Sequence, residues 1–118
     1  MIGAESDFGG GKIWRFDTRF GEDKLHFAAA IQAVLGPLGI APGDNSASGG
    51  PDMGPMRALG VPVATLKQNG WDYFDLHHTA NDTFDKIKPE DIAQNVAAYA
   101  AFAWMTANLD GHFRASPE

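Results

Sequence analysis

The feature that most constrains the fold is the mostly apolar, alanine-rich run over residues 92–109 (IAQNVAAYAAFAWMTANL). Pro89 ahead of it suits a first helical turn, where an amide hydrogen would have no partner anyway. Glu90 and Asp91 then place negative charge at the positive end of the helix dipole. Ile92, Val96, Tyr99 and Ala103 mark one face of this predicted helix, and Ala93, Ala97, Ala100 and Trp104 an adjacent one. So wide a stripe, with so many alanines, predicts close packing on a sheet. The interspersed Gln94, Asn95, Thr106 and Asn108 make it a buried helix and not a membrane span. Gly111 ends it, and residues 111–118 read as a flexible tail.

The sheet has to come from the preceding residues. Residues 61–66 (VPVATL) read as a buried strand. Residues 2–4 form a short apolar run that ends abruptly in Glu5-Ser6-Asp7, the way a buried strand of an α/β protein delivers polar groups at its carboxyl end. If that strand continues to Asp7, Glu5 and Asp7 share one face and Ser6 the other. Residues 12–16 alternate Ile13 and Arg15 against Trp14 and Phe16, suggesting an edge strand or an extended loop. A helix over residues 23–35 has a broad apolar stripe and stops at Gly36-Pro37. Residues 39–52, rich in Gly, Ser, Pro, Asn and Asp, read as a surface loop. A short helix is expected from Pro51 or Asp52 to Leu59, capped by Gly60. The fold class is therefore α/β, a mixed sheet packed by helices. With 118 residues and 44% apolar content, there is material for one core and not two.

Nine Lys and Arg residues are scattered through a chain of net charge −6. That speaks against nucleic acid or an anionic membrane as partner. The absence of cysteine excludes a disulfide framework and thiolate-ligated zinc. No basic region precedes an apolar core near Met1, so no signal peptide is expected.

The chemistry concentrates in residues 71–87 (WDYFDLHHTANDTFDKI). His77 and His78 are followed by Thr79 and Asn81-Asp82-Thr83, and Trp71, Tyr73, Phe74 and Phe84 flank them. Imidazole, carboxylate and hydroxyl groups against apolar walls are what a metal or proton-transfer site needs. The alternative is a histidine pair in an ordinary turn. Adjacent side chains on an extended segment point apart, so one of the two histidines is expected to reach a common centre. In a cysteine-free site a carboxylate is the usual second ligand type, and Asp7 is the natural candidate. Asp82 either accepts a hydrogen bond from a ligand histidine or caps the turn with Thr83.

Other constellations are weaker. A Ser6–His78–Asp82 nucleophile set lacks a Gly-x-Ser-x-Gly elbow, and Ser6 lies on the strand face opposite Asp7. Gly9 to Lys12 resembles a phosphate loop superficially, but Ile13 stands where Ser or Thr would hold magnesium. Asp44 and Asp52 match no calcium-loop spacing. His26 and His112 read as structural or solvated.

Glu5-Ser6-Asp7-x-Gly9, Gly50-Pro51-Asp52, Leu59-Gly60-Val61-Pro62 and Tyr73-Phe74-Asp75-Leu76-His77-His78-Thr79-x-x-Asp82-Thr83 occur in one order. That succession resembles the C-terminal part of the M28 zinc peptidases, closest to the carboxypeptidase Q-like branch, from about Ile2 to Leu109. The resemblance implies the C-terminal portion of a zinc aminopeptidase/carboxypeptidase-like fold over residues 1–110, with a peptide substrate and two zinc ions. It implies Asp7 as ligand to one zinc and His78 as ligand to the other. His77, Asp82, Thr79 and Asp52 would lie nearby in supporting roles.

The family also needs an upstream histidine, a bridging aspartate and a Glu-Glu pair, one glutamate being the general base. None of these precedes Ile2. The expectation is therefore a piece of a di-zinc exopeptidase that is inactive alone and binds zinc weakly or not at all. A sheet lacking its first strands exposes an edge, so homo-oligomers through that edge are expected. Family habit places the intact parent in the periplasm or outside the cell. The competing reading is a non-catalytic peptide- or partner-binding module that kept the peptidase fold.

Overall fold

The computed structural model describes residues 1–116. Its sheet is organised around β1 (Ile13–Arg19), which lies between β2 (Ala41–Pro42) and β3 (Val63–Gln68) in the order β2-β1-β3. β1 runs parallel to β2 and antiparallel to β3, with Phe16 opposite Leu66 and Asp17 opposite Thr65. Gly3 adds a parallel bridge to Val63 on the far side of β3. The sheet is mixed, as expected from the sequence, but residues 12–16 belong to its central strand and not to an edge. Two causes hid this. The partner β2 is two residues long inside a Gly- and Pro-rich loop, and a register shift between Ile13 and Arg15 breaks the alternation. Beyond the shift Phe16, Asp17 and Thr18 are all buried.

One sheet face carries α1 (Leu25–Leu35) and α4 (Pro89–Asn108). Ile13, Phe16, Ile31, Leu35, Leu66, Ala98 and Phe102 form the core between them. Burying a side chain of the size of Ile31 or Phe102 is worth about 1.5–3 kcal/mol each. α4 buries Asn95, Ala98 and Phe102, a different face from either expected one; Ala93, Val96, Ala100, Ala103 and Trp104 are exposed. Alanine carries little directional information. Phe102 and the hydrogen-bonding capacity of Asn95 choose the face.

Two short helices, α2 (Gly54–Ala58) and α3 (Tyr73–Leu76), flank β3 in sequence. The expected tail is a correction: Phe113 is buried between Phe20 and Phe27, with ring centroids 4.9 and 5.2 Å away. Gly21 N donates to Phe113 O, and Ser116 Oγ donates to Asp23 Oδ2 at 2.7 Å. Packing thus continues to Ser116; Pro117 and Glu118 lie outside the described residues.

Candidate metal centre

The segment bearing Asp7 leaves the sheet where Gly3 is pinned: Gly3 N donates to Pro62 O and Ala64 N to Gly3 O, both at 2.9 Å. The Tyr99 hydroxyl donates to Glu5 O at 2.9 Å, fixing the exit direction. Burial raises the pKa of that phenol, against the contrary effect of a hydrogen bond with Ser6. Beyond Asp7 the chain is held by two buried amides. Gln68 Nε2 donates to Gly9 O (2.7 Å) and to Asn95 Oδ1 (2.8 Å), and Asn95 Nδ2 donates to Gly11 O (2.9 Å) and Asp91 O (2.7 Å). Neither Gln68 nor Asn95 was expected at the site. The signal was available: polar amides inside otherwise apolar periodic runs need buried partners.

From Phe8 an aromatic column crosses to the histidines. Phe8 stacks on Tyr73 (centroids 4.3 Å), Tyr73 on His77 (4.7 Å), and His77 on His78 (3.7 Å). The Tyr73 hydroxyl also donates to Asp7 O at 3.4 Å. Asp7 and the His77-His78 pair are therefore neighbours through one tyrosine, although far apart in sequence. The two histidines do not point apart. His78 has φ 57°, the left-handed region that β-carbon-bearing residues avoid, and this turn folds its ring back onto that of His77. Such a conformation at a residue other than glycine is found preferentially at functional positions.

The supporting residues divide. Asp82 and His77 line one cavity of about 430 Å³, together with Gly10, Leu76 and Ile92. Asp7 and Glu5 line another of about 460 Å³, with Phe8, Trp14 and Pro51. The stacked Phe8 and Tyr73 stand between the two. Asp52 N donates to Glu5 Oε2 at 2.8 Å, so the loop bearing Asp52 is tied to the Asp7 segment. Thr79 builds the turn: its hydroxyl donates to Leu76 O at 2.6 Å and accepts from Asn81 N. Asp85, and not Asp82, pairs with the Thr83 hydroxyl, and Lys86 beside it holds the Asp85 carboxyl down to about 2.

Asp17, which carried no expectation, is the charge buried deepest. Its carboxylate accepts from Arg15 Nε (2.6 Å), Lys67 Nζ (2.9 Å) and Asp44 N (3.1 Å). Burial alone would raise its pKa, but the bonds from Lys67 and Arg15 outweigh this and hold it below the usual carboxylate range. Asp44 also accepts from Arg15 Nη2 at 2.8 Å, so the acidic loop around it is anchored to the sheet.

Among the described residues no three His, Cys, Asp or Glu side chains gather closely enough to hold a metal ion. Asp7 and His78 offer the donor types zinc takes, an oxygen and a nitrogen, but a catalytic zinc normally has three protein ligands.

No family model matches the chain. Carboxypeptidase Q of Rattus norvegicus is 30% identical over 91 residues, which is 76% of this chain and 19% of that protein. Carboxypeptidase Q of Mus musculus is 28% identical over the same proportions. The crystal structure of a Peptidase M28 precursor from Shewanella amazonensis SB2B matches with a TM-score of 0.88 and 54% identity, covering 99% of this chain and 26% of that one. The chain thus spans a minor share of the length of the proteins it resembles.

Proposed function

Because this chain belongs to the M28 peptidase family, we propose that it forms one wall of a two-zinc exopeptidase centre acting on peptides or dipeptides. In this reading Asp7 gives a carboxylate oxygen to one ion and His78 an imidazole nitrogen to the other. His77 orients His78 by stacking, and Asp82, Thr79 and Asp52 shape the surroundings. The observation that supports the proposal is the aromatic column from Phe8 through Tyr73 to His77 and His78, which ties the segment bearing Asp7 to the distant segment bearing His78. The donor set of these residues does not fit a complete catalytic zinc. Peptide hydrolysis is accordingly proposed for an enzyme in which further donors join this wall, and no turnover is proposed for these 118 residues alone.

Calorimetric titration with zinc chloride tests the ligand assignment. Weak binding that disappears in Asp7→Asn and in His78→Ala is expected; both positions are exposed, so neither variant should lose its fold. Zinc binding unchanged in both variants would overturn the assignment. Hydrolysis of a dipeptide by the isolated chain, abolished by chelator and restored by zinc, would overturn its inactivity.

A non-catalytic peptide-binding module is the second reading. It is favoured by three aromatic side chains left open to solvent in this segment, Trp71, Phe74 and Phe84, which are 93, 76 and 89% exposed. Saturable quenching of Trp71 by peptides in metal-free buffer, unaffected by Asp7→Asn, would select it.

A further inference from the structure

We propose that Asn69–Gly70 is a site at which this chain modifies itself: the Asn69 carboxamide closes onto the Gly70 nitrogen, and water then opens the ring to aspartate or isoaspartate. The chain has five asparagines, at positions 45, 69, 81, 95 and 108. The reaction needs the backbone nitrogen after the asparagine as its nucleophile. Four of those nitrogens are engaged. Ser46 N donates to Asp44 Oδ1 at 3.0 Å, Asp82 N to Thr79 O at 3.2 Å and Leu109 N to Met105 O at 2.9 Å. Val96 lies within α4, where its N–H belongs to the helical ladder. Gly70 N, by contrast, has no acceptor among the described residues. Its lack of a β-carbon also leaves the approach to the nitrogen open.

The carboxamides divide in the same way. Asn45, Asn95 and Asn108 each donate Nδ2 to a backbone carbonyl, which ties down the group that has to leave. Asn81 is exposed, but Asp82 sets a side chain beside the nucleophile. Asn69 is exposed too, and it lines the cavity of about 430 Å³ beside Gly9, Gly10 and Gly11, which gives water a route to it. Asn69 Oδ1 accepts from Trp71 N at 3.1 Å. This turn folds the carboxamide back over Gly70 and polarises its carbonyl carbon. Nucleophile and electrophile thus stand together on one dipeptide.

Water is the only co-reactant. Gly70 N loses its proton to solvent and attacks Asn69 Cγ. The N–Cγ bond forms, the Cγ–Nδ2 bond breaks, and Nδ2 leaves as ammonia with a proton returned by solvent. Water adding to Cγ of the resulting ring restores the main chain as aspartate. Water adding to the other ring carbonyl breaks its bond to Gly70 N instead and leaves the main chain running through Cβ and Cγ, one methylene longer. That methylene enters a tightly held segment. Asn69 N donates to Lys12 O at 2.8 Å, and a β-carbon on Gly11 would overlap Asn69 O. A β-carbon on Gly70 would overlap the Phe8 ring. The ring that begins the aromatic column therefore requires glycine at position 70, and the lability of the dipeptide follows from that packing. The isoaspartyl product displaces Gly70 against Phe8 and separates Phe8 from Tyr73, whose rings stack at 4.3 Å in the unmodified chain.

Incubation of the whole chain in mildly alkaline buffer, followed by ion exchange and peptide mapping, tests the proposal. The net charge should pass from −6 to −7 as the carboxamide becomes a carboxylate, faster at higher pH, with the isoaspartyl bond in the peptide that contains Asn69. Asn69→Gln, whose longer side chain closes a less favourable ring, should stay at −6. Asp110–Gly111 can isomerise only from a carboxylate, which leaves the charge unchanged and does not enter this readout. Asn69→Asp supplies the charge of the product without lengthening the chain. It should keep the nuclear Overhauser contacts between the Phe8 and Tyr73 rings, which the isoaspartyl fraction should lose. A native chain that stays at −6, or an acidic species that still forms in Asn69→Gln, would overturn the site. Ring contacts retained in the isoaspartyl fraction would overturn its effect on the column.

Discussion

Replacing Asp17 by asparagine isolates what its charge contributes, because the side-chain volume is unchanged and no cavity opens. The carboxylate, whose side chain is 3% exposed, accepts from Arg15, Lys67 and Asp44 N. An amide oxygen keeps one of these bonds, and its NH₂ turns a donor toward the cations. A hydrogen bond to a charged group is worth about 1.5–3 kcal/mol. Arg15 and Lys67 are 28 and 43% exposed, so water recovers part of each loss. The expected cost at pH 7 is therefore about 2–3 kcal/mol, or about 10 °C in Tm. In urea this shifts the midpoint by about 1–1.5 M at an m-value of about 2 kcal/mol/M. The pH dependence gives the sharper test. A carboxylate whose folded pKa is depressed stabilises fully above its unfolded value of about 3.9. It loses that contribution as pH falls from there through the lower folded pKa. Tryptophan-monitored urea melts of wild type and Asp17→Asn should therefore differ most at pH 7 and converge below about pH 4. A cost under about 0.5 kcal/mol, or one that is the same at pH 7 and pH 3, would refute the reasoning.

Gly43→Ala should disturb the same network, since a β-carbon there would overlap Asp17 Oδ1 and crowd Arg15 Nε. Its cost of about 2–3 kcal/mol should be markedly non-additive with Asp17→Asn in a double-mutant cycle. His78→Gly should hold or raise stability by up to about 1 kcal/mol by removing left-handed strain, whereas His78→Val should lower it by about 1–2 kcal/mol; equal urea midpoints for both would count against strain at φ 57°. Asn95→Leu leaves Gln68 and Gly11 O without their buried partner and should cost about 2–4 kcal/mol. Amide exchange of Gly9 to Gly11 should accelerate with it, and unchanged protection there would show that Asn95 does not position the turn.

The sequence pattern revealed α4, β3 and the helix ending at Leu35, because each carries a strong apolar period bounded by glycine or proline. Residue chemistry and the family resemblance also singled out Asp7 and His78, whose segments the structure links through Tyr73; their role as metal donors is the proposal made above. The centrality of β1 was not legible. A two-residue partner in a loop has no period, and a strand covered on both faces buries Phe16, Asp17 and Thr18 in succession, which erases the alternation. The face of α4 was ambiguous for a related reason: alanines at most positions fit several faces, and long-range bonds of Asn95 decide among them. The stacked histidines depend on one backbone angle at His78, and composition does not encode it.

The bonds from α4 to the start of the chain have a consequence in time. Tyr99 holds Glu5 O, Asn95 holds Gly11 O, and Gln94 clamps both the N–H and the C=O of Ile13, at sequence separations of 94, 84 and 81 residues. Contacts this distant make folding slow, because a long loop must close before they form. During synthesis the segment carrying Asp7 emerges before α4 and waits for that helix, the last made among these elements. Until α4 docks, the turn at Gly9 to Gly11 and the strand entry at Ile13 have unpaired backbone groups. The segment bearing Asp7 is thus made before the helix that orders it.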